Sequence, residues 1–172
     1  NGFVNVDKEK MSKSLGNFFT LRDIYKKFHP EALRLFLISS HYRSPIDFSI
    51  KNLEDAEKVI LRFYEALNNA GSIVGDYNVS LEEIKNHPFL AKCEKAMNDD
   101  FNTAVVVAHL NEESRGINAE CGRIDSGEGD KKNLAVRLAA FKFVGELLGL
   151  LTSSLEKIRQ EIFNVKQAEL DL

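Results

Sequence analysis

Two lysines three residues apart, Lys10 and Lys13, bracket Met11 and Ser12 and are followed by Ser14, Leu15, Gly16 and Asn17. Each lysine offers a compact charge with three donors. The hydroxyls of Ser12 and Ser14, together with backbone N–H groups, add neutral donors. A loop equipped in this way suits a polyphosphate. As a departing phosphate chain gathers charge, ammonium groups closing on it favour the transition state over the ground state. A K-x-x-K pair alone is common on protein surfaces. The full pentamer KMSKS arises by chance in a chain this size at a rate on the order of one in ten thousand, so a dedicated phosphate loop is expected.

Other candidate groups read differently. Asp99 and Asp100 are adjacent carboxylates, but neighbours on a helix point about 100° apart and do not converge on one ligand. A structural pair near a helix start, where negative charge suits the dipole, is the expectation, and Asn102 and Thr103 are read as caps for the same reason. The run His41-Tyr42-Arg43 offers Arg43 either to a nucleic-acid backbone or to a structural loop contact. His29, His87 and His109 have no partner at ligand spacing and read as structural. Cys93 and Cys121 stand far apart with no CxxC spacing. That argues against a zinc knuckle or a disulfide framework and fits a reduced, cytoplasmic protein. Tyr25, Phe28, Phe63 and Tyr64 sit at helical spacings and read as core or partly buried residues rather than base-stacking platforms.

These groups need elements to hold them. In a chain of 172 residues with 44% hydrophobic content, one ordinary domain with a short appendage can bury a sizeable core. The net charge of −3 does not announce a nucleic-acid binder. It is uneven, however: residues 1–43 carry +4 and the rest −7. That asymmetry reads either as a polyanion contact near the start or as chance clustering. No apolar stretch approaches the ~20 residues of a membrane span, and no secretory leader is recognised. The opening Asn1-Gly2-Phe3, without an initiator Met, suggests a piece of something longer.

Phe3, Val4 and Val6 alternate as a short strand, followed by an ordered loop through residue 19. Thr20 can cap a helix over about 21–28, with Asp23 at its third position. Pro30 opens the next helix, from Glu31 to about Tyr42, which is apolar nearly all round and so buried on several sides. Residues 44–47 read as a loop because Pro45 holds the chain extended. Ser49 caps a long helix to about Val74, with apolar residues at Leu53, Ala56, Ile60, Phe63, Leu67, Ala70 and Val74, the seam of a helix packed along its neighbours. Ser80-Leu81-Glu82-Glu83 is a capping box for a short helix. Further helices are predicted from Pro88 to about Met97, from a Thr103 cap to about Cys121, from Lys131 to Leu151 and from Thr152 to Val165. Residues 122–130 form a glycine-rich flexible connection. With almost no strand signal after residue 19, the fold class is all-α: a helical bundle preceded by a short strand and loop.

The pentamer Lys10–Ser14 resembles the signature of class I aminoacyl-tRNA synthetases, and the wider string NGFVNVDKEKMSKSLGNF resembles the cysteinyl family in particular. PEALRLFL (30–37) is similar to the helix that follows the loop in several class I members. HYRSPIDFS (41–49) and MNDDFNT (97–103) resemble cysteinyl-family segments. The resemblance runs through most of residues 1–111 and returns more weakly at 147–151. It implies that residues 1–48 are the end of a Rossmann-type catalytic domain with the loop and connecting helices, and that 49–172 are a tRNA-side bundle. It implies ATP as substrate, with Mg, and L-cysteine and tRNA(Cys) as partners. Lys10 and Lys13 would contact the ATP phosphates, Met11, Ser12 and Ser14 would lie near the nucleotide, and Gly16 and Asn17 would shape the loop.

The family's HIGH tetrapeptide is not in these residues, and its zinc ligands belong upstream of the loop. By this reading the chain alone is inactive. Two other readings stay open: a related ATP-dependent ligase joining cysteine to an amino-sugar, and a non-catalytic helical binding module.

Overall fold

The computed structural model describes residues 4–6, 9–12, 14 and 19–170. Among these, three short strands accompany eight helices: β1 (Val4–Val6), β2 (Glu9–Lys10), α1 (Leu21–Tyr25), α2 (Pro30–Ile38), β3 (Ile46–Phe48), α3 (Ile50–Val74), α4 (Leu81–Lys85), α5 (Pro88–Asn98), α6 (Thr103–Asp125), α7 (Lys131–Leu147) and α8 (Leu155–Leu170). The helical class expected from the sequence is the one observed.

The caps do much of the punctuation. Thr20 and Ser80 each form a reciprocal capping box, with Asp23 and Glu83, and Ser49 accepts from the Asn52 N–H to start α3. Pro30 and Pro88 open α2 and α5, where a missing N–H costs nothing. The seam read along α3 is its inner face: Leu53, Ile60, Phe63 and Ala70 are buried. Around it gather Val106, Leu110 and Ile117 of α6 and Leu134, Phe141 and Val144 of α7. Phe63 meets Phe141 edge-on, with ring centroids 5.4 Å apart. Each large side chain removed from water in this way contributes about 1.5–3 kcal/mol. A smaller cluster forms beneath the strands from Val6, Ile24, Phe28, Leu33, Phe48 and Leu53.

Several boundaries differ from expectation. Ile46 and Asp47, read as loop, form with Phe48 strand β3, which pairs in parallel with β1 at Val4↔Ile46, Asn5↔Asp47 and Val6↔Phe48. The pairing puts Phe48 into the small cluster, and that long-range burial overrides the weak local signal. α1 ends at Tyr25, and a turn then carries the Lys27 and Phe28 N–H groups to the Ile24 carbonyl. α2 stops at Ile38 rather than near Tyr42; Ala32, Leu33 and Leu35 are buried, and Leu37 is exposed. The cap of α6 is Asn102, which accepts from the Val105 N–H, rather than Thr103. α6 continues past Cys121 to Asp125 because the buried Glu120 accepts the Asp130 N–H at 2.8 Å and folds the connection back. α7 ends at Leu147, where Gly149 and Leu151 take positive φ, 70° and 59°. α8 correspondingly begins at Leu155, not Thr152.

Candidate functional site

β2 leads directly into the KMSKS segment. Asn5 faces Lys10 and Val6 faces Glu9 in the antiparallel β1–β2 pair. The Met11 N–H then donates to the Val4 carbonyl at 3.0 Å, and the half-buried Met11 side chain packs on the small apolar cluster. Met11 is thus an anchor at the root of the loop. Lys10 and Ser14 are exposed, and the Ser12 and Ser14 hydroxyls lie 3.2 Å apart. Lys10, Met11, Ser12 and Ser14 are therefore gathered at one sheet edge. Lys13, Gly16 and Asn17 lie outside the described residues.

The chain returns from the loop into α1 through the Thr20–Asp23 box. The Thr20 hydroxyl and N–H, together with Lys26, hold the Asp23 carboxyl below its ordinary range. Ile24 and Phe28 seat this turn on the cluster that receives Met11, Val6 and Phe48. One apolar patch thus fixes both the entry to the loop and its exit. Phe19 lies against Phe48 with centroids 5.6 Å apart.

The segment ahead of β3 is held by a contact that residue types alone do not reveal. The Tyr42 hydroxyl donates to Asp100 Oδ1 at 2.8 Å, Arg43 Nη2 donates to the same oxygen at 3.2 Å, and Arg43 Nε lies 3.2 Å from Asp100 Oδ2. Of the two roles open to Arg43, the structural one is realised. Asp100 is not a helix-start carboxylate: it stands in the turn between α5 and α6, with φ at 55°. A second group unrecognised in sequence is Glu31, buried at the start of α2, whose carboxylate accepts from the Tyr64 hydroxyl, the Leu151 N–H and the Thr152 hydroxyl at 2.9, 2.9 and 3.0 Å. Its position beside Pro30 looks like ordinary helix-start acid, and its partners stand far away in sequence.

The histidines are structural where their contacts are seen. His29 caps α2 through Nδ1 and meets Glu161 of α8 at 3.0 Å through Nε2. Phe28, Phe63 and Tyr64 are buried as expected, whereas Tyr25 is exposed. Among the described residues no group of three or more His, Cys, Asp or Glu side chains is assembled for a metal ion. No helix of the described residues is long and apolar enough to cross a membrane.

Two family models match parts of the chain. Residues 1–58 match the family model of the class I (C) tRNA synthetase catalytic domain, and residues 92–152 match that of the DALR domain. A cysteine–tRNA ligase of Syntrophotalea carbinolica is 42% identical over 168 residues, covering 89% of this chain and 32% of the relative. Those of Acinetobacter baylyi and Geobacter metallireducens are 38% and 39% identical, covering 98% and 100% of this chain and 35% and 37% of the relatives. The chain thus spans about a third of the length of the curated relatives it matches.

Proposed function

We propose that the chain, which is similar to cysteine–tRNA ligases over about a third of their length, supplies the phosphate-gripping loop and tRNA-side helices of such an enzyme. In the first step ATP and L-cysteine give cysteinyl-adenylate and pyrophosphate. In the second the cysteinyl group passes to the terminal ribose of tRNA(Cys). Lys10 and Lys13 act in the first step: their ammonium groups neutralise the charge that moves onto pyrophosphate as the bond to the α-phosphorus breaks. Ser12 and Ser14 offer hydroxyl donors to the same oxygens, Met11 roots the loop, and Gly16 and Asn17 shape it. Residues 1–48 serve as the end of the catalytic domain and 49–172 as the tRNA-side bundle.

The observation that carries this reading is the pentamer Lys10–Ser14 issuing from a hairpin whose root is tied to Val4 and seated in apolar contacts. Mg belongs with the ATP phosphates. Zinc, where the whole protein uses it to select cysteine, falls to residues other than Cys93 and Cys121. Both thiols are buried and pushed upward in pKa, chiefly by that burial, the reverse of what a zinc thiolate needs. A cytoplasmic location accompanies this role.

The test is cysteine-dependent ATP–pyrophosphate exchange by the full-length protein. Lys13→Ala is expected to lower it by roughly two to three orders of magnitude, the scale of one lost transition-state donor. An unchanged rate would sink the reading and favour a non-catalytic helical module. Residues 1–172 by themselves contain no HIGH tetrapeptide and are expected to show no turnover with ATP, cysteine and tRNA. Product analysis separates tRNA from an amino-sugar acceptor; the likeness to relatives named cysteine–tRNA ligase supports tRNA.

A further inference from the structure

Asp100 and Phe101 are consecutive non-glycine residues with φ of 55° and 53°, a left-handed conformation that side chains disfavour and that is held only where surroundings demand it. The Phe101 and Asn102 N–H groups return to the Met97 and Ala96 carbonyls, both at 3.1 Å. The turn so fixed carries Phe101 into solvent, where it is 67% exposed, and presents the Asp100 carboxylate to residues 41–43. There Arg43 Nη2 donates to Asp100 Oδ1 at 3.2 Å, and Nε lies 3.2 Å from Oδ2 as an ion pair. Tyr42 closes a triangle, donating to Asp100 and accepting from Arg43 Nε at 2.9 Å. His41 stacks on Tyr42 with centroids 4.8 Å apart, and the Ser44 N–H returns to the His41 carbonyl at 2.8 Å.

An exposed ion pair ordinarily contributes little, but here the guanidinium donates to both the phenol and the carboxylate while the phenol donates to that same carboxylate, and such a closed set of charge-assisted bonds fixes orientation as well as charge. What it orients is the segment leading through Pro45 into β3. β3 sets the register of β1, and the Val4 carbonyl of β1 receives the Met11 N–H.

We propose that Asp100 is a positioning residue for the phosphate loop, linking the α5–α6 corner of the bundle through Tyr42, Arg43 and β3 to the root of the segment that bears Lys10. The catalytic consequence rests on the function proposed above; the mechanical link does not. The link predicts that a change at the α5–α6 corner is felt at Met11, although the two stand 89 positions apart in the sequence.

The test uses the full-length protein and two readouts. Asp100→Gly removes the carboxylate while keeping a residue at home at positive φ. It should speed hydrogen exchange at the Met11 amide by about threefold or more. The kcat of ATP–pyrophosphate exchange should drop roughly tenfold, with KM for ATP little changed, since misplacing a transition-state contact costs rate before binding. Asp100→Asn, which still accepts from Tyr42 and Arg43, should restore most of both. Arg43→Lys, which lacks the planar group that donates to Tyr42 and Asp100 together, should resemble Asp100→Gly. Glu65→Gln, breaking the exposed pair with Arg159, should change neither. An unaltered Met11 amide in Asp100→Gly overturns the proposal. A wild-type protein inert toward ATP would instead defeat the functional reading, and the amide measurement would still decide the link.

Discussion

Glu31 is a carboxylate 7% exposed to water whose oxygens face donors from three parts of the chain: Tyr64 on α3, and Leu151 and Thr152 after α7. The Tyr64 hydroxyl also accepts the Ser153 N–H at 3.1 Å, and burial, with Glu31 beside it, pushes that phenol well above its ordinary pKa. Glu31→Gln must turn an NH2 toward a donor, so unfolding in urea should show a loss of roughly 2–3 kcal/mol. A mutant of wild-type stability would contradict the network. Glu83 gives the complementary pH effect. Its carboxylate, held by the Ser80 N–H, then by the Ser80 hydroxyl and Lys132, is lowered from 4.5 to about 2. A depressed carboxyl stabilises the fold at full strength above its unfolded pKa, and the contribution fades as pH falls from 4.5 toward 2. Protection of the Ser80 amide should decline through that window in wild type, and Glu83→Gln should flatten the decline.

At the scale of elements, α7 is held to the turn that follows it by a helical glycine. A Cβ on Gly145 would stand 2.5 Å from Leu151 Cδ1 and 2.9 Å from its Cγ, and Leu151 is fully buried at a positive φ. Gly145→Ala therefore gains helix propensity but forces an overpacked contact. A net loss of about 1–2 kcal/mol is expected by thermal denaturation; a raised melting temperature would show that the turn yields. The same elements show what sequence can convey. Ser49, Ser80, Pro30 and Pro88 announce helix starts because a cap is a local bond, made within three residues. The α3 seam is legible because its period is local too. β3 is not, because Ile46–Phe48 is a strand only beside Val4–Val6, some forty residues earlier. The KMSKS segment is legible as chemistry from its residue types alone. The long-range contacts are not: Asp100 reaches Arg43 across 57 positions and Glu31 reaches Leu151 across 120, distances at which no pattern of types survives.

Across the whole molecule, the main core joins α3, α5, α6, α7 and α8 through shared side chains, among them Cys93 at 3% exposure. Burial pushes the Cys93 thiol up to about 12. At pH 8 it is both hidden and protonated, so alkylation should be slow in native protein and should accelerate steeply across the denaturant transition. Rapid labelling without denaturant would show that the core opens locally. The parallel pairing of β1 with β3 has a kinetic consequence. The two strands cannot meet until the chain between them has closed a loop containing α1 and α2, whereas α3 forms from contacts within its own length. During refolding, α3 should therefore consolidate early and the little sheet should zip up late, leaving the β1–β2 hairpin as one of the last pieces of this chain to acquire its shape.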